Sequence, residues 1–168
     1  MDMAIQAALR YNRKIAFAGR TVANNIEAAA KHGFINIPKD AVIDIKKVSH
    51  MKPNQVAIII AGAQGQEGSA MQRLAAGEHQ FIKLKPKDHV VISSDAIPGT
   101  EGNVHGLIDT LYKQDVKVSY SGSMPGLHVS GHGSRGDLAL LARLLKPKHI
   151  LPIGGTIRHM YLYRDMAG

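Results

Sequence analysis

The sequence predicts an α/β domain, a mainly parallel sheet with helices on both faces, and three observations lead there. Apolar runs of strand length alternate with helix-length segments nearly throughout, the order that builds strand-helix-strand units. Val56-Ala57-Ile58-Ile59-Ile60-Ala61 is continuously apolar and rich in β-branched residues, as a strand buried on both faces should be. Glycine or serine follows successive runs, at Gly19, Gly62 and Ser93, so the chain turns at the same end of each strand.

In order, residues 1–11 read as a helix and 14–18 as a short strand that stops at Gly19-Arg20-Thr21. A second helix is expected over 22–31. Gly33 and Pro38 bracket a connection, and 41–45 reads as either an edge strand or a helical turn. After the strand at 56–61 comes Gly62-Ala63-Gln64-Gly65-Gln66-Glu67-Gly68, then a helix near 69–76 closed by Gly77. Strands are expected at 81–84 and 89–92, the latter ending at Ser93-Ser94-Asp95. Pro98-Gly99 precedes a helix over 101–112. A strand at 116–120, a histidine-rich loop, a helix over 135–145 and a last strand at 149–153 complete the chain.

With 168 residues, 45% of them hydrophobic and only 5% aromatic, one compact domain with an aliphatic core is expected. The absence of cysteine excludes disulfides, thiolate metal sites and cysteine nucleophiles, and it fits a cytoplasmic setting. No apolar run is long enough to span a bilayer, and residues 1–10 lack a signal peptide's basic start and apolar centre. The expectation is therefore no membrane partner. A formal net charge of +8, from 21 Lys and Arg against 13 Asp and Glu, favours polyanions. The few aromatic residues do not interleave with the basic ones, which makes backbone recognition the expected mode over base stacking.

The richest stretch chemically is His128-Val129-Ser130-Gly131-His132-Gly133-Ser134. Its glycines permit a tight turn with N–H groups facing one side, and Ser134 with Asp137 has the spacing of a capping box on the following helix. Such a loop suits an anion, phosphate above all. Arg20, Gln64, Ser93, Ser94, His128, Ser130, His132 and Thr156 all follow predicted strands, and ligands of open parallel sheets gather beyond the carboxyl ends of the strands. Other chemistries are less well supplied. His128 and His132 have i, i+4 spacing, but the glycines argue against a helix there and zinc wants three or four protein ligands. Ser130 has no nucleophile-elbow spacing and no acidic orienter. His79, His89, His105 and His149 are isolated, and read as surface or satisfied core. Two further readings stand beside the anion site: a Rossmann-like nucleotide-binding domain using the Gly62 to Gly68 turn, and a non-catalytic, self-associating structural domain, which would form a homodimer.

Taken together, Gly19-Arg20-Thr21-Val22-Ala23-Asn24-Asn25, Gly62-Ala63-Gln64-Gly65, Ala76-Gly77-Glu78-His79, Ser93-Ser94 with Ile97-Pro98-Gly99, His128-Val129-Ser130-Gly131-His132, Lys146-Pro147-Lys148 and Arg158-His159 run in an order that resembles the ribonuclease J family. That family belongs to the β-CASP group of the metallo-β-lactamase superfamily. The resemblance runs along almost the whole chain and implies a Rossmann-like β-CASP fold.

It also implies roles. His128, Ser130 and His132 match the element that contacts substrate phosphate. Arg20, Ser93, Ser94 and Gly131 join them as the expected phosphate-binding set, with His132 the catalytic-side contact, acting only alongside the metal-binding domain. Family members cut RNA with a metal-activated water, so RNA, single-stranded or 5′-phosphorylated, is the implied partner. The zinc or manganese is implied for the metallo-β-lactamase domain, whose His-x-His-x-Asp-His motif this chain lacks. The expectation is thus a single domain over 1–168 with no cofactor of its own, 154–168 returning toward that absent domain. Where the family has a histidine ligand in a Pro-Val-His-Gly-Glu run, this chain has Pro152-Ile153-Gly154-Gly155-Thr156, so Gly154 stands at the ligand position. Two-metal hydrolysis needs ligands for cations roughly 3.5–4 Å apart, and the chain alone is expected neither to hold metal nor to cleave RNA.

Overall fold

A computed structural model describes residues 1–129, 131–153 and 155–167. Among them the chain folds as an α/β domain whose strand pairs are parallel. β1 (Lys14–Ala18) pairs with β2 (Val56–Ile60), Lys14 opposite Val56 and Ala18 opposite Ile60. β3 (His89–Val91) pairs with β4 (Lys117–Ser119), His89 opposite Lys117. The ladders form two small sheets of two strands each. The helices are α1 (Asp2–Arg10), α2 (Arg20–Lys31), α3 (Ala70–Ala75), α4 (Glu101–Tyr112), α5 (Arg135–Leu145) and α6 (Ile157–Ala167).

Two apolar clusters hold these elements. Ile5 and Ala8 of α1, Ile15 of β1, and Val22 and Ile26 of α2 form one, with Ala57 and Ile59 of β2 packed against it. Met71 and Leu74 of α3, Val104, Leu107, Ile108 and Leu111 of α4, and Val116 and Val118 form the other, with Ile58 and Ile60 of β2 against it. Alternate residues of β2 thus serve different clusters, as the period of two in a strand requires. Continuous apolarity at 56–61 is the sequence signature of that arrangement.

Two sequence expectations change. Residues 81–84 do not form a strand, because the amides of Phe81 and Ile82 both donate to His79 Nδ1 at 3.3 Å and are lost to any ladder. Residues 149–153 form no strand either, and Leu151 stands 84% exposed with no neighbouring ladder among the described residues. Residues 157–167 form the helix α6. The ambiguous 41–45 segment resolves into short 3-10 helices at Lys39–Ala41 and Ile45–His50, with Val42 bridging in parallel to Ile15. No helix among the described residues is long and apolar enough to cross a membrane.

Candidate phosphate site at the strand ends

The loops that leave the carboxyl ends of the strands are tied to one another. After β2, Gln64 acts as a bracket: its Nε2 donates to Asp95 O at 2.8 Å, and its Oε1 accepts from Ile97 N and Thr100 Oγ1, each at 2.9 Å. That fixes the loop after β3. The β3 and β4 ends are joined by Ile92 N donating to Ser119 O at 2.8 Å. Beyond β4 the chain turns through Tyr120, whose carbonyl accepts from Ser123 N and Met124 N, and reaches the histidine loop. There Ser93 Oγ donates to Leu127 O at 3.1 Å, and His128 Nδ1 lies 3.2 Å from Ser93 O.

Ser93 and His128 are therefore neighbours although 35 residues separate them. Ser94 follows Ser93 in the chain, and among the described residues its buried Oγ has no hydrogen-bond partner. An orphaned buried hydroxyl is uncommon in folded proteins and marks a place where a ligand or water completes the geometry. Because a carbonyl can only accept, His128 Nδ1 carries the hydrogen, and Nε2 can donate to an anion only in the imidazolium form.

The remaining expected residues are placed less closely. Arg20 is the exposed first residue of α2, and among the described residues no hydrogen bond or ion pair joins it to Ser93 or His128. Gly131 and His132 are exposed in the loop before α5. Ser130 and Gly154 lie outside the described residues. Neither Gly131 nor Gly133 has a positive φ, so the turn does not demand glycine there; a Cβ on Gly131 would meet nothing within 4 Å. The space is open to a ligand.

Ser134 does cap α5. Its Oγ accepts from Asp137 N at 3.3 Å while Asp137 Oδ2 accepts from Ser134 N at 2.8 Å, a reciprocal capping box. The Ser134 side-chain and backbone hydrogen bonds hold the Asp137 carboxyl below its usual range. An ionised carboxylate and a satisfied donor at this terminus weaken its pull on an anion, which shifts the recognition burden from the helix to the loop side chains. On α4, the backbone N–H groups of Glu101 and Gly99 keep the Glu101 carboxyl below its usual range, with Arg158 and His105 adding to the effect.

The Gly62 to Gly68 turn is closed by packing. A Cβ on Gly62 would come within 2.5 Å of Ser69 Cβ, and one on Gly65 within 2.5 Å of Asn103 O. These glycines bring the turn against α3 and α4, and the six-residue α3 is already capped by Ser69 Oγ accepting from Gln72 N. Among the described residues no group of three His, Asp or Glu side chains converges as a metal site would require, so the described side chains do not fit the family's metal.

Gln64 carries the positioning, and sequence reading placed it only among the strand-end polar residues. His79 was read as surface or satisfied core, and it is the second: buried, with its Nδ1 organising the 79–82 turn. The signal for it was an imidazole directly before an apolar stretch that fails to become a strand.

An α/β domain with linked polar loops at its strand ends is the class that these observations define. The family model described as ribonuclease J, beta-CASP domain, matches residues 1–111, and the chain belongs to that family. It is 39% identical over 167 residues to Ribonuclease J of Helicobacter pylori, covering 99% of this chain and 24% of that protein. Against Ribonuclease J of Mycobacterium tuberculosis the identity is 38% over 163 residues, covering 97% of this chain and 29% of that protein. Against that of Corynebacterium glutamicum it is 35% over 167 residues, covering 99% and 23%. The chain thus spans about a quarter of the length of these curated relatives and corresponds to their β-CASP portion.

Proposed function

We propose that this chain is the RNA-phosphate-binding, substrate-clamping domain of a ribonuclease J-like RNA-processing metallohydrolase. The carrying observation is the Ser93–His128 pair, which draws the loops after β3 and β4 together beside the orphaned Ser94 Oγ. A phosphate oxygen accepting from Ser94 Oγ and from the His128 imidazolium would satisfy the first and balance the second. Ser130, Gly131 and His132 complete the loop, Arg20 adds charge from the edge of the sheet, and the +8 net charge draws polyanions toward it.

In this reading the chain is one β-CASP unit, its sheet covered by helices on both faces, a reading supported by the division of β2 residues between two apolar clusters. The hydrolytic zinc or manganese belongs to a companion metallo-β-lactamase domain, toward which 154–168 returns. His132 reaches the scissile phosphate only in that company. Exposed Leu140, Leu141, Leu144 and Leu145 of α5 give such a companion an apolar surface to cover.

The test is titration with a short 5′-phosphorylated RNA. Ser94→Ala and His128→Ala should each weaken binding about tenfold, since a charge-assisted hydrogen bond is typically worth about 1.5–3 kcal/mol, while Lys87→Ala should change little. Equal losses in all three variants would instead indicate a diffuse basic surface.

A further inference from the structure

The turn that leads into α6 is where the resemblance expects a histidine ligand, and its polar side chains are committed to capping the helix. Thr156 immediately precedes α6, and His159 stands in its first turn. Thr156 N donates to His159 Nδ1 at 3.1 Å, and Thr156 Oγ1 lies 2.9 Å from the same nitrogen. A first-turn side chain that accepts from the amide preceding the helix is half of a capping box, made here by an imidazole in place of a carboxylate. Because a backbone N–H can only donate, Nδ1 carries no hydrogen. The ring hydrogen is on Nε2, and Thr156 Oγ1 is a second donor to Nδ1.

Gly155 fixes the ring in place. Its φ is 84°, and a Cβ there would meet His159 Nδ1 at 3.1 Å and Cγ at 3.2 Å. Only glycine supplies both that backbone conformation and that closeness. The imidazole is thus seated against the turn with its one lone-pair nitrogen occupied.

Zinc and manganese centres draw on His, Asp, Glu or Cys side chains. From Pro152 to His159 the only such side chain is His159. Its Nδ1 lone pair is engaged by Thr156, and a protonated Nε2 has none to give. Gly154 has no side chain, and Thr156 stands where the Pro-Val-His-Gly-Glu run would carry its carboxylate. Further along α6, Asp165 Oδ1 accepts from both Nε and Nη2 of Arg164, a cation that a metal would have to displace. Nothing described in the return segment makes good the missing ligand.

We propose that the longer protein to which this chain belongs has a metal centre one histidine short, so that it holds RNA phosphate but hydrolyses it poorly. The inference rests on the proposed function, in which a companion domain carries the metal. Ser93, Ser94 and His128 lie on other loops, and the Ser93–His128 contacts involve no residue of the 152–159 turn. Loss of the ligand therefore separates grip from turnover. Removing a group that merely hydrogen-bonds a metal ligand typically costs roughly 10–100-fold in metal affinity, and a missing ligand should cost no less. Two-cation hydrolysis needs both cations in place.

The test uses the longer protein, purified with its metal, and its Gly154→His variant. Metal content is measured by elemental mass spectrometry after dialysis against a graded series of chelator. RNA binding is measured by fluorescence anisotropy with a short 5′-phosphorylated RNA in excess chelator, where no turnover occurs. The unaltered protein should hold fewer than two zinc or manganese ions per chain. Gly154→His should retain metal at roughly tenfold higher chelator or more, bind RNA equally well and cleave it faster. His159→Gln keeps an acceptor for Thr156 N, so it should leave metal content unchanged while loosening the first turn of α6. A fall in metal content in that variant would make His159 the replacement ligand and overturn the proposal. Two tightly held metal ions in the unaltered protein, or no gain in Gly154→His, would overturn it as well. Should Gly154→His not fold, the metal count of the unaltered protein and of His159→Gln decides. Metal is counted without RNA, so absent RNA binding would refute the clamping function and leave the ligand deficit standing. A reading frame with no metal-binding companion would overturn both.

Discussion

His79 ties local structure and stability to one imidazole. Burial pushes its pKa below the ordinary histidine value, and the charges of Arg73 and Lys83 push the same way. Burial and Lys117 do the same to His89, whose Nε2 lies 2.9 Å from Ser119 Oγ. A histidine with a depressed native pKa binds protons more readily when unfolded. Its contribution to stability is therefore complete above the unfolded value of about 6.5 and is lost as pH falls through the native value. The urea midpoint should decline from pH 7.5 to pH 5.5, and His79→Asn should flatten part of that decline. A midpoint equally pH-dependent in the variant would place the titration elsewhere. Glu101 and Asp137, both depressed, act only at lower pH, where carboxylates begin to protonate. None of this was legible in the isolated residue: a lone histidine in a sequence carries no sign of which backbone amides will reach it.

At the scale of elements, legibility follows how local the determining interaction is. α5 was readable because Ser134 and Asp137 are three residues apart, and their reciprocal hydrogen bonds need nothing from the rest of the chain. β2 was readable because apolar residues on both faces leave one pattern. The failed strand at 81–84 had an acceptable strand composition, but a side chain two residues upstream of Phe81 had taken its donors. The 149–153 run joins no ladder among the described residues, and ladder hydrogen bonds come from distant sequence that the run itself does not reveal. The phosphate-site candidates were legible as strand-end residues, whereas the Gln64 bracket, reaching across 31 to 36 residues, was not. Ser134→Ala tests the local case. Loss of the cap should cost α5 about 1 kcal/mol, roughly fivefold faster hydrogen exchange at its first turn. Global unfolding should barely move, because α5 contributes no buried residue to either apolar cluster. A matching fall in the global midpoint would show that α5 unfolds together with the core.

The whole molecule is uneven in the same sense. Among the described residues none after Ser119 is buried, and both apolar clusters draw their buried members from Ile5 to Val118. Beyond that point large apolar side chains face outward, with Leu144 71% and Ile157 74% exposed. Burial of apolar area is the main term that offsets chain entropy, so stability is concentrated in the first 119 residues. Beyond that point α5 is held by its capping box and by packing against α6. Local opening free energies should therefore fall sharply across the Tyr120 turn. In native-state hydrogen exchange, the amides of Val104 to Leu111 should exchange only through global unfolding, and those of α5 and α6 on the order of a hundredfold faster or more, a gap of about 2.7 kcal/mol or greater. Limited proteolysis should cut first within residues 121–134 and leave a folded N-terminal fragment. The His128 loop lies in this less stable region and is fastened to the core through Ser93. A phosphate bridging Ser94 and His128 would span the boundary, so 5′-phosphorylated RNA should slow exchange and cleavage in 121–134 more than in α4. Protection of α5 equal to that of α4 without ligand would show that the region after Tyr120 is already rigid, and the expected coupling between RNA binding and ordering would be absent.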